Sequence, residues 1–336
     1  MANKERGMVM EQIAKIISVI NWNGRVGKTT LAYHLATGLQ HLNIDELERQ
    51  IGKRHFPRVL LVDADAQCNL SISCLTDTVF EQMVYHDKYP IYTLKDLLEE
   101  FLINKERDIN VGDYILTESV RSRDNKFYTN VDLIPAHPDL IYTDMNFTVR
   151  SNTDVKNNNI FTFQVLDNIL SRVKHYYDFI FIDCPPALNY ITQNALYASD
   201  YYIIPTIPDK LSTSGILSII NKVSELNKTF SISSSGYLET KLIGIIPNSI
   251  KVSSEKQEDE QAAILDTLRG IFDKQVFRNY LAYGDGISKA FTLGYPVFAL
   301  EHTHPDSEKQ SKQLKNILRE LLQKKPVKLS YDEKGD

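Results

Sequence analysis

The chain has 336 residues, 43% of them hydrophobic, and a formal net charge of -5 from 38 Lys and Arg against 43 Asp and Glu. Such ordinary globular usage excludes a mainly disordered chain, a collagen-like chain and a bare coiled coil. The slightly acidic balance excludes a surface coated in basic residues, although a local basic patch remains compatible with it because net charge is a sum.

Residues 1–12 read as an N-terminal extension. Met1–Lys15 is charged and has no apolar core, so it does not resemble a secretory signal. Ile13–Asn21, rich in Ile and Val, reads as a strand, and Lys28–Leu42 has helical spacing through Leu31, His34, Leu35 and Leu39. Residues 43–58 are polar and read as a first insertion. Val59–Asp65 is a compact apolar run ending in carboxylates. Residues 71–130 read as a second insertion that carries one clear helical patch, Thr93–Leu102.

Phe161–His175 is helical by period and Tyr177–Cys184 is a strand. Tyr201–Ile207 is another strand, Leu211–Leu226 a helix, Lys241–Asn248 a strand and Glu255–Phe272 a helix. Gln313–Leu322 closes as an amphipathic helix, and residues 326–336 form a tail. This alternation predicts an α/β fold, a single domain over residues 13–325 with a mostly parallel twisted sheet flanked by helices and enlarged by the two insertions. No apolar run approaches the ~18 residues needed to span a bilayer. Cys68, Cys74 and Cys184 form an odd set with no metal-ligand spacing, so a reducing cytoplasm is expected.

The strongest motif is Asn23-Gly24-Arg25-Val26-Gly27-Lys28-Thr29-Thr30, directly after a strand and opening a helix. Backbone N–H groups of such a loop form an anion nest, and the helix start adds its positive dipole end. Lys28 can reach β- and γ-phosphates, Thr29 can bind Mg²⁺, and Gly27 lets the backbone approach closely. The usual G-x-x-x-x-G-K-[ST] pattern is not met, because its first glycine falls on Trp22. Asp63 and Asp65 end one apolar strand and Asp183 ends another, which is how a Walker B strand delivers a carboxylate to Mg²⁺.

On these residues the chain resembles the ParA/MinD superfamily of deviant Walker A (SIMIBI) P-loop ATPases, nearest to the ParA type. That family's loop reads K-G-G-V-G-K-T-T, and Asn23–Thr30 matches six of its eight positions. Its D-x-D-x-Q-x-N-L motif matches Asp63, Asp65, Gln67, Asn69 and Leu70, and its D-x-P-P motif matches Asp183, Pro185 and Pro186. Its G-x-x-x-N strand end resembles Gly244–Asn248, and its closing A-x-x-x-G-x-P-V pattern resembles Ala290, Gly294, Pro296 and Val297.

The resemblance implies ATP and Mg²⁺ as cofactors. It implies that Lys28 and the loop amides hold phosphates, and that Thr29 binds Mg²⁺ with Asp183 and Asp63 behind it. Asp65 then orients the attacking water and Asn248 contacts adenine. It further implies an ATP-dependent homodimer, hydrolysis stimulated by a ParB-like or other adaptor protein, and a role in DNA partition or cargo positioning, for a bacterial or plasmid-encoded protein of the cytoplasm that associates with the nucleoid. A MinD-like membrane-surface regulator and a nucleotide-dependent scaffold with little hydrolysis are the competing expectations.

Two departures stand out. Asn23 occupies the place of the family's cross-dimer lysine, with Arg25 two residues on as a candidate replacement. The arginines that many ParA-like proteins carry before the closing alanine are missing. Lys251, Arg278 and Lys289 are therefore the candidate DNA contacts, with Lys274, Lys312 and Lys315 as further cations. The stripe Leu314, Ile317, Leu318, Leu321 and Leu322 suits either a membrane surface or docking on the sheet, and docking is the expectation. His302, His304 and Asp306 lack a full metal-ligand set.

Overall fold

Six short apolar runs become strands of one sheet: β1 (Lys15–Val19), β2 (Val59–Asp63), β3 (Val131–Ile134), β4 (Phe179–Asp183), β5 (Tyr201–Thr206) and β6 (Lys241–Pro247). All neighbours are parallel, in the order β3-β2-β4-β1-β5-β6. Both faces of these strands are buried, as Val59–Val62 and Phe179–Ile182 illustrate, and that requires helices on each side. The computed structural model describes residues 13–85, 91–103, 109–153, 161–253, 256–257 and 259–324. The extension 1–12 and the tail 326–336 lie outside the described residues.

The helices follow in chain order. After β1 come α1 (Lys28–Gly38) and α2 (Ile44–Ile51), the second of these inside the stretch 43–58. After β2 come α3 (Asn69–Leu75), α4 (Asp77–Tyr85) and α5 (Leu94–Ile103). The β3–β4 crossover holds α6 (Leu140–Thr153) and α7 (Phe161–Ser171). Then follow α8 (Tyr190–Ala198), α9 (Lys210–Ser214), α10 (Ile216–Ser233), α11 (Asp259–Phe272), α12 (Gly286–Thr292) and α13 (Pro305–Gln323). Residues Leu31–Gly38 of α1 are all buried, which makes it a central helix covered on every side.

Three sequence expectations are corrected. The strand β3 falls in a stretch with no strand expectation, because Asp132 interrupts its apolar run; the carboxylate is tolerated since the Tyr177 hydroxyl donates to it at 2.8 Å and Arg58 lies at 3.7 Å. The helix expected over Leu211–Leu226 is two helices separated at Gly215, and the second runs on to Ser233. The helix expected from Glu255 begins at Asp259, since Lys256–Gln257 pairs with Val252–Ser253 as a small antiparallel ribbon. Glu255 itself lies outside the described residues.

The closing helix docks. Leu314, Ile317, Leu318, Leu321 and Leu322 are all buried, with Leu318 against the Gly38 end of α1. His304 caps its start by accepting from the Asp306 N–H, and Pro305 fills the first turn where no amide partner is needed.

Candidate nucleotide site

The sheet register builds the site. Val19 of β1 and Asp63 of β2 both pair with Asp183 of β4, so the loop leaving β1 and two carboxylates meet at the carboxyl end of the sheet. Ligands of open α/β sheets bind there. Residues Ile20–Gly27 form the loop and Lys28 opens α1.

Asn21, which the sequence motifs do not include, ties the loop down. Its buried side chain donates to the Pro205 carbonyl at 2.8 Å and accepts from the Asn23 N–H at 2.9 Å. Gly27 sits at φ 94°, and a Cβ there would collide with the Asn248 carboxamide, so this position needs glycine on both counts. Asn248 donates from Nδ2 to the Val26 carbonyl at 2.8 Å and accepts from the Ser249 N–H at 2.8 Å. The residue that the resemblance assigns to adenine therefore also buttresses the phosphate loop. Arg25 adopts the left-handed region, φ 61°, with its side chain exposed; Gly24 beside it is exposed too, and Val26 is buried.

Lys28 is buried and turns back across the loop, where Nζ donates to the Asn23 carbonyl at 2.9 Å. Burial lowers its pKa, and the carboxylates of Asp183 and Asp65 pull it back up. Thr29 Oγ1 donates to Asp183 Oδ2 at 2.6 Å. The other oxygen, Asp183 Oδ1, is buried and has no hydrogen-bond partner. An anion half-satisfied in a closed site is costly unless a cation or water completes it. Burial, then the nearby Asp63 carboxylate, push the pKa of Asp183 well above the usual carboxylate range.

Asp63 has the same place on its strand and a different environment. Its Oδ2 accepts from both the N–H and the hydroxyl of Ser71, at 2.8 and 2.7 Å, and its Oδ1 accepts from the Asp65 N–H at 3.2 Å. The Ser71 hydroxyl in turn accepts from Ala136 N–H at 2.8 Å, just beyond β3. Ser71, the first residue of the stretch read as an insertion, thus belongs to α3 and braces the site. Asp65 is nearly buried, and its Oδ1 accepts from the Gln67 N–H at 3.0 Å. Thr30 offers its carbonyl to His34 Nδ1 at 2.7 Å, while His34 Nε2 accepts from the Val297 N–H at 3.1 Å. This fixes the proton on Nδ1 and links α1 to the closing segment. Nothing local marks Ser71 or His34; only the fold brings them to their partners.

The residue types suit Mg²⁺ and a triphosphate: a threonine hydroxyl, one carboxylate oxygen without a partner, a lysine and a glycine-lined anion nest. Among the described residues no group of three or more His, Cys, Asp or Glu could cage a metal by itself. His304 is engaged as a helix cap and with Lys289 Nζ at 2.6 Å.

The candidate DNA contacts do not share one surface feature. Arg278 lines a cleft of about 830 Å³ with Arg269, Lys274, Arg319 and Lys324, which neither Lys251 nor Lys289 lines. Its carboxylates are Asp273 and Glu320, and Glu320 is spent on the N–H groups of Arg278 and Asn279. No helix among the described residues is long and apolar enough to cross a membrane.

Comparison with known proteins places this geometry. The profile of the AAA_31 family, described as an AAA domain, matches residues 14–234. The chain is 27% identical over 286 residues to the sporulation initiation inhibitor protein Soj of Bacillus subtilis, which covers 85% of this chain and 90% of Soj. It superposes on the ATP complex of a Cyanothece McdA variant with a TM-score of 0.66 at 20% identity, covering 91% of this chain and 97% of that one. It superposes on the septum site-determining protein MinD of Pyrococcus horikoshii, complexed with Mg-ADP, with a TM-score of 0.57 at 19% identity, covering 91% and 96%. With a family profile spanning residues 14–234 and a six-stranded parallel sheet that ends on a phosphate loop, the chain belongs to this AAA-domain family, the ParA/MinD group of P-loop ATPases.

Proposed function

We propose that the chain is a Mg²⁺-dependent ATPase of the ParA type, in which two protomers close on two ATP molecules to position DNA or another cargo in the cytoplasm. The observation that carries this reading is Asp183: one oxygen is held by Thr29 and the other is buried without a partner, beside a lysine-bearing phosphate loop.

Lys28 and the N–H groups of residues 24–30 hold the β- and γ-phosphates. Thr29 and Asp183 would hold Mg²⁺, with Asp63 behind them, and a bound ion would supply charge neutralisation at the phosphate oxygens. Asp65 orients a water towards the γ-phosphorus. The water oxygen bonds to phosphorus as the bond to the β–γ bridging oxygen breaks, ADP leaves with that electron pair, and the water's proton ends on phosphate. Asn248 keeps one amide hydrogen for the adenine after serving Val26. Arg25, exposed at the loop tip, supplies the cross-dimer charge that Asn23 lacks. The unaided rate is slow, and a ParB-like or other adaptor accelerates it. The cleft around Arg278 is the place where nonspecific DNA would meet the protein, and Lys251 and Lys289 are peripheral to it. Residues 13–325 act as one ATPase domain.

The deciding experiment measures phosphate release and fluorescent-ATP binding together. Wild type is expected to bind and slowly release phosphate with Mg²⁺, and Asp65→Ala to bind without release. A wild type that binds without turnover, or an Asp65→Ala protein with undiminished release, overturns the assignment.

A further inference from the structure

Beyond α3 and α4, the second insertion sends Arg121 to a cleft beside the start of α1. Residues 116–133 fold as a hairpin that leads into β3, with antiparallel bridges Leu116–Leu133 and Arg121–Phe127. The hairpin is tied to the turn that follows α1, Leu39–His41, by the His41 Nε2 contact to the Tyr128 hydroxyl at 2.7 Å. From it the Arg121 guanidinium lies over the Tyr295 ring, 4.9 Å from its centroid, with Nη2 3.4 Å from the Tyr295 hydroxyl. Arg121 lines a cleft of about 660 Å³ whose other walls include Thr29 and Thr30 at the start of α1, Asn69 and Thr76 of the α3 region, and Gly294.

Thr76 is the strained point. It ends α3 by donating its N–H to the Ile72 carbonyl and starts α4 by accepting from the Phe80 N–H, at 2.8 and 2.9 Å. A single residue therefore makes the whole turn between two helices, at φ 75° and ψ 154°. That region is essentially reserved for glycine, and a β-branched residue is strained there, which persists only where neighbours enforce it. The enforcing neighbours are visible. Gly294, at φ 72°, gives the threonine its room: a Cβ on Gly294 would lie 2.7 Å from Thr76 Cγ2 and 3.4 Å from Arg121 Nη1. Arg121 in turn holds Tyr295, the next residue. Upstream, α3 carries Ser71, whose two donors hold Asp63, and Asp63 holds the N–H of Asp65.

We infer that Arg121 is a positioning residue for nucleotide turnover. By clamping Gly294–Tyr295 onto Thr76 it keeps α3 in the strained register that places the Asp65 loop, so the insertion is a strut for the reaction and not a peripheral elaboration. This inference rests on the reading of the site as an ATPase centre.

The test uses full-length wild type, Arg121→Ala, Arg121→Lys, Thr76→Gly and the double variant Arg121→Ala/Thr76→Gly. Phosphate release, fluorescent-ATP affinity, thermal midpoint and amide exchange of residues 65–76 are measured with Mg²⁺ and ATP. Misplacement of a reacting group by about 1 Å costs on the order of 100-fold in rate. Arg121→Ala is therefore expected to lower kcat by roughly 10- to 100-fold, with KM and nucleotide affinity nearly unchanged and faster exchange over residues 65–76. Arg121→Lys, which keeps the charge but lacks the planar guanidinium that lies over the Tyr295 ring and meets its hydroxyl, is expected to fall between. Glycine adopts the turn without strain, so the double variant is expected to recover most of the lost kcat and the slow exchange. The inference is overturned if Arg121→Ala keeps wild-type kcat, if its loss is wholly in affinity or folding, or if Thr76→Gly fails to rescue it. A wild type that binds ATP without turnover sinks the ATPase reading first, before any variant is compared.

Discussion

Asp63 and Asp183 occupy the same rung of adjacent strands, yet they are built for different tasks. Every oxygen of Asp63 is met by a donor of the protein itself, two from Ser71 and one from Asp65. Asp183 is met once, by Thr29, and its second oxygen faces no partner. A carboxylate satisfied from within holds a fold together, whereas one left half-satisfied in a buried site is complementary to a ligand that arrives with opposite charge. Identical residue type, identical register and opposite hydrogen-bond inventory separate a brace from a candidate metal contact.

The sharpest way to break this comparison is Asp183→Asn. Phosphate release with Mg²⁺ and ATP should fall on the order of 10²–10³-fold, the scale of removing one preorganised electrostatic contact, while stability of the cation-free protein at pH 7 should rise. The sign follows from the raised pKa: the folded carboxyl keeps a proton that the unfolded chain releases, so stability drains away as pH climbs above the ordinary carboxylate range. Urea melts at pH 5 and pH 7 check this; an Asp183→Asn protein with normal turnover would erase the distinction between the two aspartates.

Histidines of α1 and the turn after it give the opposite sign. Burial lowers the pKa of His34, and of His41, to about 4, the latter with a further push from Lys315. The unfolded chain takes up these protons near pH 6.5 while the folded protein resists until about pH 4, so stability should fall as pH drops through that window. For His34 alone the loss is about 3 kcal/mol. A His34→Gln variant should show a flatter pH profile, read by chemical denaturation between about pH 7 and pH 4.

Asp63→Asn is expected to cost about 1–3 kcal/mol, because an amide cannot accept on both sides and leaves a buried donor unpaired. If its melting midpoint matches wild type and only turnover suffers, Asp63 is the metal contact and the comparison reverses. Smallest of all, Arg25→Ala should shift stability by less than about 0.5 kcal/mol, as expected of an exposed side chain. It should nonetheless weaken ATP-dependent dimerisation in sedimentation velocity; unchanged association removes Arg25 from the cross-dimer role.

Much of the site was legible in the residues. The run Val59–Val62 followed by Asp63, and Phe179–Ile182 followed by Asp183, announce buried strands that deliver carboxylates, because uninterrupted β-branched and aromatic runs suit strands covered on both faces. Asn23–Thr30 between strand and helix announces the anion nest. The illegible parts are those in which a polar group is satisfied from far away. Asp132 hid β3, since its partner Tyr177 is 45 residues distant. Gly215 broke a helix whose apolar spacing continued through it.

By itself the amino-acid sequence determined the α/β class, the phosphate loop and which aspartates stand at strand ends, since period, turn chemistry and apolar runs are local properties. Only the tertiary structure decided which of those aspartates is braced and which is left open, that Asn248 leans on the loop, and that Arg121 reaches Tyr295 and the cleft lined by Thr76 from an insertion. The decisive hydrogen bonds join groups as far as 222 and 263 residues apart, Asn248 on Val26 and Val297 on His34, and no window of sequence contains such pairs.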